Sequence, residues 1–89
     1  MRELFLQTLE LTDQAGVVRR YDYSILIGEM DVGSYACESY GMKIAEQGGD
    51  TALVPDVTCS AARIDELSEL LLRNAVTPAA LNDVLSDWL

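Results

Sequence analysis

Residues 17–30, VVRRYDYSILIGEM, decide the fold. Tyr21, Tyr23, Ile25 and Ile27 occupy every second position, with Arg20, Asp22 and Ser24 between them. A period of two sends the two sets to opposite sides of an extended chain, so the stretch predicts a half-buried central strand. Upstream, ELFLQTLEL (3–11) is rich in strand formers and TDQAG (12–16) is turn chemistry. Downstream, DVGS (31–34) turns the chain into YACESYGMKIAE (35–46). There Ala36, Tyr40, Met42 and Ile44 mark a second apolar side, and Gly41 marks a bulge or a close approach of backbone. QGGD (47–50) is a further hairpin turn and TALVPDV (51–57) a weaker strand. Pro55 cannot donate to a ladder, so that last strand belongs at an edge. The connections are too short for parallel crossovers, which leaves an antiparallel meander.

After residue 58 the period changes from two to about 3.6. In CSAARIDELSELLLRN (59–74), Ser60 is the N-cap and Ile64, Leu67, Leu70 and Leu71 form the apolar stripe. Asp65 and Glu66 fall in the opening turns, Arg73 lies near the end beside Glu69, and Asn74 is read as a left-handed C-cap. In TPAALNDVLSDWL (77–89), Thr77 followed by Pro78 is a helix-start signal, and Leu81, Val84, Leu85, Trp88 and Leu89 share one side. The only charges of this second helix are Asp83 and Asp87, read as lying toward the negative end of its dipole. Twelve or so residues make a marginal helix in isolation, so packing must hold this one. The chain is therefore expected to be one α+β domain over 1–89. Residues 1–57 form a small antiparallel β-meander of three strands plus a weak fourth, packed against two C-terminal α-helices at 60–74 and 77–89.

Composition narrows the functions. Six Arg and Lys stand against fifteen Asp and Glu, a formal charge of −9. Nucleic-acid and anionic-membrane binding rest on cations displacing counterions, so neither is expected directly. No apolar run is long enough to span a bilayer, and the first residues lack a signal-peptide layout, so the expected location is cytoplasmic. Cys37 and Cys59 form no C-x-x-C motif, which suits a reducing compartment; the count leaves room for one bridge that nothing in the spacing requires.

The chain has no histidine, which removes Ser-His and Cys-His nucleophile pairs and most zinc ligand sets. Cys59 precedes a helix start, where a thiol can become reactive, yet a small buried residue at a strand-to-helix corner accounts for it as well. Asp65 with Glu69, and Asp83 with Asp87, are four apart; a solvated acidic helix side explains them better than a cation site. Tyr21, Tyr23, Tyr35 and Tyr40 read as cross-strand packing, because a base-stacking platform needs a cationic groove. No catalytic, metal or cofactor-binding residues are assigned, and an enzyme is not expected.

The ending NAVTPAALNDVLSDWL (74–89), with YDYSILIGEMDVGSYACESYGMKI (21–44), resembles a family of short acidic proteins of clostridia-like bacteria known only as a domain of unknown function. Val76, Thr77, Pro78, Leu81, Asp83, Val84, Asp87, Trp88 and Leu89 match that family's closing motif. The resemblance implies a bacterial cytosolic origin and carries no activity with it. The functional expectation is a non-catalytic protein-interaction module that binds a protein partner, or a second copy, through the terminal helix or an unpaired sheet edge. On the helix the candidate contact residues are Leu81, Val84, Leu85, Trp88 and Leu89. The alternative is a polyanion mimic that occupies a basic nucleic-acid-binding surface of another protein.

Overall fold

The computed structural model describes the backbone of residues 1–89 and every side chain except that of Val32. Its elements run β1 (Arg2–Thr12), β2 (Val18–Val32), β3 (Tyr35–Glu46), β4 (Thr51–Thr58), α1 (Ala61–Arg73) and α2 (Leu81–Trp88), with a 3₁₀ turn at Pro78–Ala80 before α2. The strands form one antiparallel sheet in sequence order, β1-β2-β3-β4. This is the expected α+β meander, and its fourth strand runs a full eight residues.

The alternation in β2 does what its period requires. Tyr21, Tyr23 and Ile25 are buried on one side, opposite Glu46, Ile44 and Met42 of β3. Both helices cover this side, closing a core with Ile64, Leu67 and Leu71 of α1, Val76 of the link, and Leu81 and Leu85 of α2. β1 contributes from the outer edge: a register shift between Phe5 and Gln7 inserts Leu6, which packs against the core. The other side of the sheet carries no helix. It presents Phe5, Asp22, Ser24, Lys43 and Ala45 around a shallow depression of about 250 Å³.

Each connection has a local cause. At the β1–β2 turn the Asp13 carboxylate accepts from the backbone N–H groups of Ala15 and Val17, both at 2.9 Å. The Val17 N–H, with Arg19 and Ala15 adding to it, holds that carboxyl below the usual carboxylate range. The β2–β3 hairpin closes on Gly33 and Ser34, with Gly33 at φ 63° as the first central residue of a two-residue loop requires. Gly41 is the close approach its position announced: a Cβ there would overlap the Val54 carbonyl oxygen and lie 2.6 Å from Pro55 Cα.

The helix ends depart from the expectation in three ways. Ser60 does cap α1, accepting from Arg63 N–H at 3.2 Å. Asp65 and Glu66, however, lie beyond the first turn. Asn74 is not left-handed, at φ −94°. Ala75 takes that conformation instead, at φ 49°. Val76 N–H reaches back to Leu71 C=O at 3.0 Å and Ala75 N–H to Leu72 C=O at 3.2 Å. This is the Schellman pattern, with the buried Val76 as its apolar closing residue. Asn74 contributes through its side chain, which donates to Leu70 C=O at 2.9 Å. Finally, Thr77 makes no side-chain cap, and the α-helical part starts only at Leu81. Asp83 consequently sits in the first turn of α2, where the dipole favours it, and Asp87 alone is left toward the negative end.

Candidate interaction surfaces

The terminal helix divides its apolar residues between core and rim. Leu81 and Leu85 are buried, Val84 and Trp88 are half-buried against the core, and Leu89 is 75% exposed. The Arg63 guanidinium of α1 lies 4.3 Å from the centre of the Trp88 ring, a cation–π contact that covers the indole from outside. Of the five residues named from sequence, Val84, Trp88 and Leu89 thus retain surface, and only Leu89 is mostly exposed.

The two sheet edges differ more than the sequence suggested. β4 is interrupted: Pro55 lacks an N–H, Asp56 is left-handed at φ 54°, and the ladder with β3 is irregular between Val54 and Thr58. The Asp56 carboxylate turns back to accept a hydrogen bond from the buried Ser39 hydroxyl. β1 runs eleven residues along the opposite margin, and among the described residues no strand pairs with its outer side. It exposes Leu4 at 50% and Phe5 at 59%, with Val17 and Val18 also exposed at the start of β2.

A third feature is an arm. β1 pairs with β2 only up to Ile27, and β4 reaches β3 only at Tyr40. Residues Gly28–Val32 and Tyr35–Ser39 pair with each other alone, carrying the hairpin roughly 15 Å past its neighbours at the usual strand rise. This accounts for a molecule 53 Å long but 24 by 17 Å across. Tyr35, read from sequence as a packing residue, is near the tip and 77% exposed; Tyr21 and Tyr23 do enter the core and Tyr40 is half-buried.

Charge is unevenly distributed. Arg2, Arg19, Arg20 and Lys43 pair with Glu38, Asp13, Glu46, Glu10 and Glu3 at 2.7–3.2 Å, four of the pairs joining different strands and Arg19–Asp13 lying at the β1–β2 turn. Five of the fifteen carboxylates thereby face a cation, which leaves ten without one among the described residues. Asp65, Glu66, Glu69, Asp83 and Asp87 are in that second group, all exposed on the helices.

The two cysteines are free thiols brought into contact, Cys37 Sγ to Cys59 Sγ at 3.3 Å. No sequence signal marks this meeting, because it depends on the register of β4 against β3. The same holds for the Ser39–Asp56 hydrogen bond, which follows from the irregular turn of β4 at Pro55. Among the described residues, no helix is long and apolar enough to cross a membrane.

Comparison with curated proteins and with solved structures gives no match. The family model described as "Family of unknown function (DUF6514)" matches residues 2–89, and the chain belongs to that family.

Proposed function

We propose that this chain is a non-catalytic protein-interaction module that receives an extended, basic segment of a partner along β1 and the open side of the sheet. The observation that carries this reading is the outer margin of β1, an eleven-residue edge whose outward-pointing N–H and C=O groups meet no strand among the described residues, beside exposed Leu4 and Phe5. A long edge with apolar side chains is a template for strand addition, in which main-chain hydrogen bonds supply affinity and alternate side chains select the partner. The charge of −9 chooses among occupants. A second copy would bring another −9 against it, whereas a basic segment is drawn in. The terminal helix is the weaker surface in this reading, since Leu81 and Leu85 are already in the core. Two free thiols suit a reducing bacterial cytoplasm as the place where the module works.

A photo-crosslinking side chain in place of Phe5, compared with the same group in place of exposed Ser86 on α2, tests the reading in cells that make the protein. Capture at position 5 of one partner through a Lys- or Arg-bearing segment is expected, with loss of capture in Leu4→Lys. Capture at position 86 alone would overturn it.

The polyanion-mimic reading is favoured by one observation of its own, the five exposed carboxylates on the helices with no cation partner among the described residues. Its signature in the same experiment is capture near α2 of a nucleic-acid-binding protein, abolished by moderate salt and indifferent to Leu4→Lys.

A further inference from the structure

Cys37 lies near the base of the arm on β3, and Cys59 follows the last residue of β4, one residue before the α1 cap. Pairing of Tyr40 with Thr58 continues Cys59 toward the level of Ser39, two residues from Cys37 on the same side of the sheet. The sulfurs are 3.3 Å apart, although the residues are 22 apart in the chain. A disulfide bond is about 2.05 Å long, so the two atoms need approach by about 1.3 Å. Cys59 is exposed and Cys37 half-buried.

We infer that Cys37 and Cys59 are a reversible dithiol site that reacts with small-molecule disulfides and closes into an intramolecular bridge at the base of the arm. The exposed Cys59 thiolate attacks one sulfur of the reagent R–S–S–R, forming a mixed disulfide and releasing one thiolate, which takes up a proton. Cys37, having given up its own proton to solvent, then attacks Cys59 Sγ, and the second R–S⁻ leaves and is protonated. Two protein thiols lose two electrons, and one small disulfide becomes two small thiols. The order of attack follows from access. It also agrees with the hydrogen bond between the two thiols, which, with partial burial, pushes the Cys37 thiol above its usual range.

The consequence is mechanical. A two-stranded ribbon is marginal by itself. Gly28–Ser39 is tied down at its base by the Arg2–Glu38 ion pair at 2.7 Å and the Ser39–Asp56 hydrogen bond. A covalent link to the β4–α1 corner fixes that base, and its reduction frees it.

The test uses the full chain with oxidised glutathione, followed by alkylation and intact-mass analysis. The wild type is expected to become a monomer about 2 Da lighter with no free thiol, reversed by a reducing dithiol. Cys37→Ser should stop at one adduct on Cys59, about 305 Da heavier, while Cys59→Ser reacts at least several-fold more slowly. Amide exchange at residues 29–38 should slow several-fold in the oxidised wild type. Two adducts on the wild type, disulfide-linked dimers, thiols untouched under conditions that modify Cys37→Ser, or unchanged exchange in the arm would each overturn the inference. The mass and the arm exchange of the oxidised wild type decide the inference by themselves if either variant fails to fold.

Discussion

At the scale of single residues, two positions carry backbone demands of opposite kind. Ala75 holds φ 49° to close the Schellman turn, a conformation in which its Cβ crowds the following carbonyl. Ala75→Gly removes that crowding but loosens the unfolded chain, and the first effect is larger here. The expected outcome is a gain of about 0.5–1 kcal/mol in urea unfolding. Gly41 is the converse: its φ is ordinary, but Val54 and Pro55 backbone occupies the space a methyl would need. Gly41→Ala must push β4 away, and a loss of about 1–3 kcal/mol is expected in the same assay. Tyr23 adds a pH dependence. Its ring is fully buried and its hydroxyl donates to Val76 C=O at 2.6 Å. Burial, with the nearby Tyr21 adding to it, pushes its phenol above the ordinary value of 10.0. The folded pKa lies above the unfolded one, so the stabilisation is complete below pH 10 and is lost as pH rises through the folded value. Alkaline titration of thermal stability should show that fall in the wild type and a shallower one in Tyr23→Phe, which also loses about 1 kcal/mol at neutral pH from the orphaned carbonyl.

At the scale of elements, the strands were the legible part and the helix ends were not. Period-two alternation over 17–30 and 35–46 reports which side of a strand meets the core, and the buried Tyr21, Tyr23, Ile25, Met42 and Ile44 follow it directly. Capping is a competition among neighbours, and sequence ranks the candidates without deciding it. Asn74 has the side chain for a left-handed cap, yet the buried Val76 one residue further fixes the turn at Ala75. Thr77 likewise has a capping hydroxyl, but Pro78 opens a 3₁₀ turn and α2 starts late. The side of α2 was readable from its 3.6 period; the division of that side between core and rim was not, because Arg63 comes from another helix to cover Trp88. That division predicts a ranking. Leu85→Ala opens space among Leu81, Leu71 and the sheet, and should cost about 2–5 kcal/mol. Arg63→Gln removes only the cation over the indole, and should cost about 0.5–1 kcal/mol. Denaturant unfolding of the two variants checks it, and equal losses would show that the guanidinium holds the helix as firmly as the core does. The bare margin of β1 follows from the meander order that the short connections imply, whereas the thiol pair was illegible because it is a product of the register of β4 against β3, which no local pattern encodes.

At the scale of the whole molecule, the opposing terms are five carboxylate–cation pairs at the surface and, among the described residues, ten carboxylates with no cation. Exposed pairs contribute little individually, commonly below about 1 kcal/mol, and salt weakens them further. Repulsion among the unpaired groups is spread over a narrow body only 24 by 17 Å in cross-section, within two to three screening lengths at physiological ionic strength. Compaction brings these charges together, so self-repulsion acts against folding and is relieved by screening. Repulsion outweighs pairing in this balance, because carboxylates outnumber cations by fifteen to six. The melting temperature is therefore expected to rise by a few degrees between about 20 and 300 mM sodium chloride, read by scanning calorimetry at neutral pH. The same salt should weaken capture of a basic partner segment along β1. Opposite responses of stability and binding to one variable would tie the −9 net charge to partner recognition, since the net repulsion itself opposes the fold. A melting temperature that fell with salt would instead identify the cross-sheet ion pairs as the dominant electrostatic term and remove charge as the argument for a basic partner.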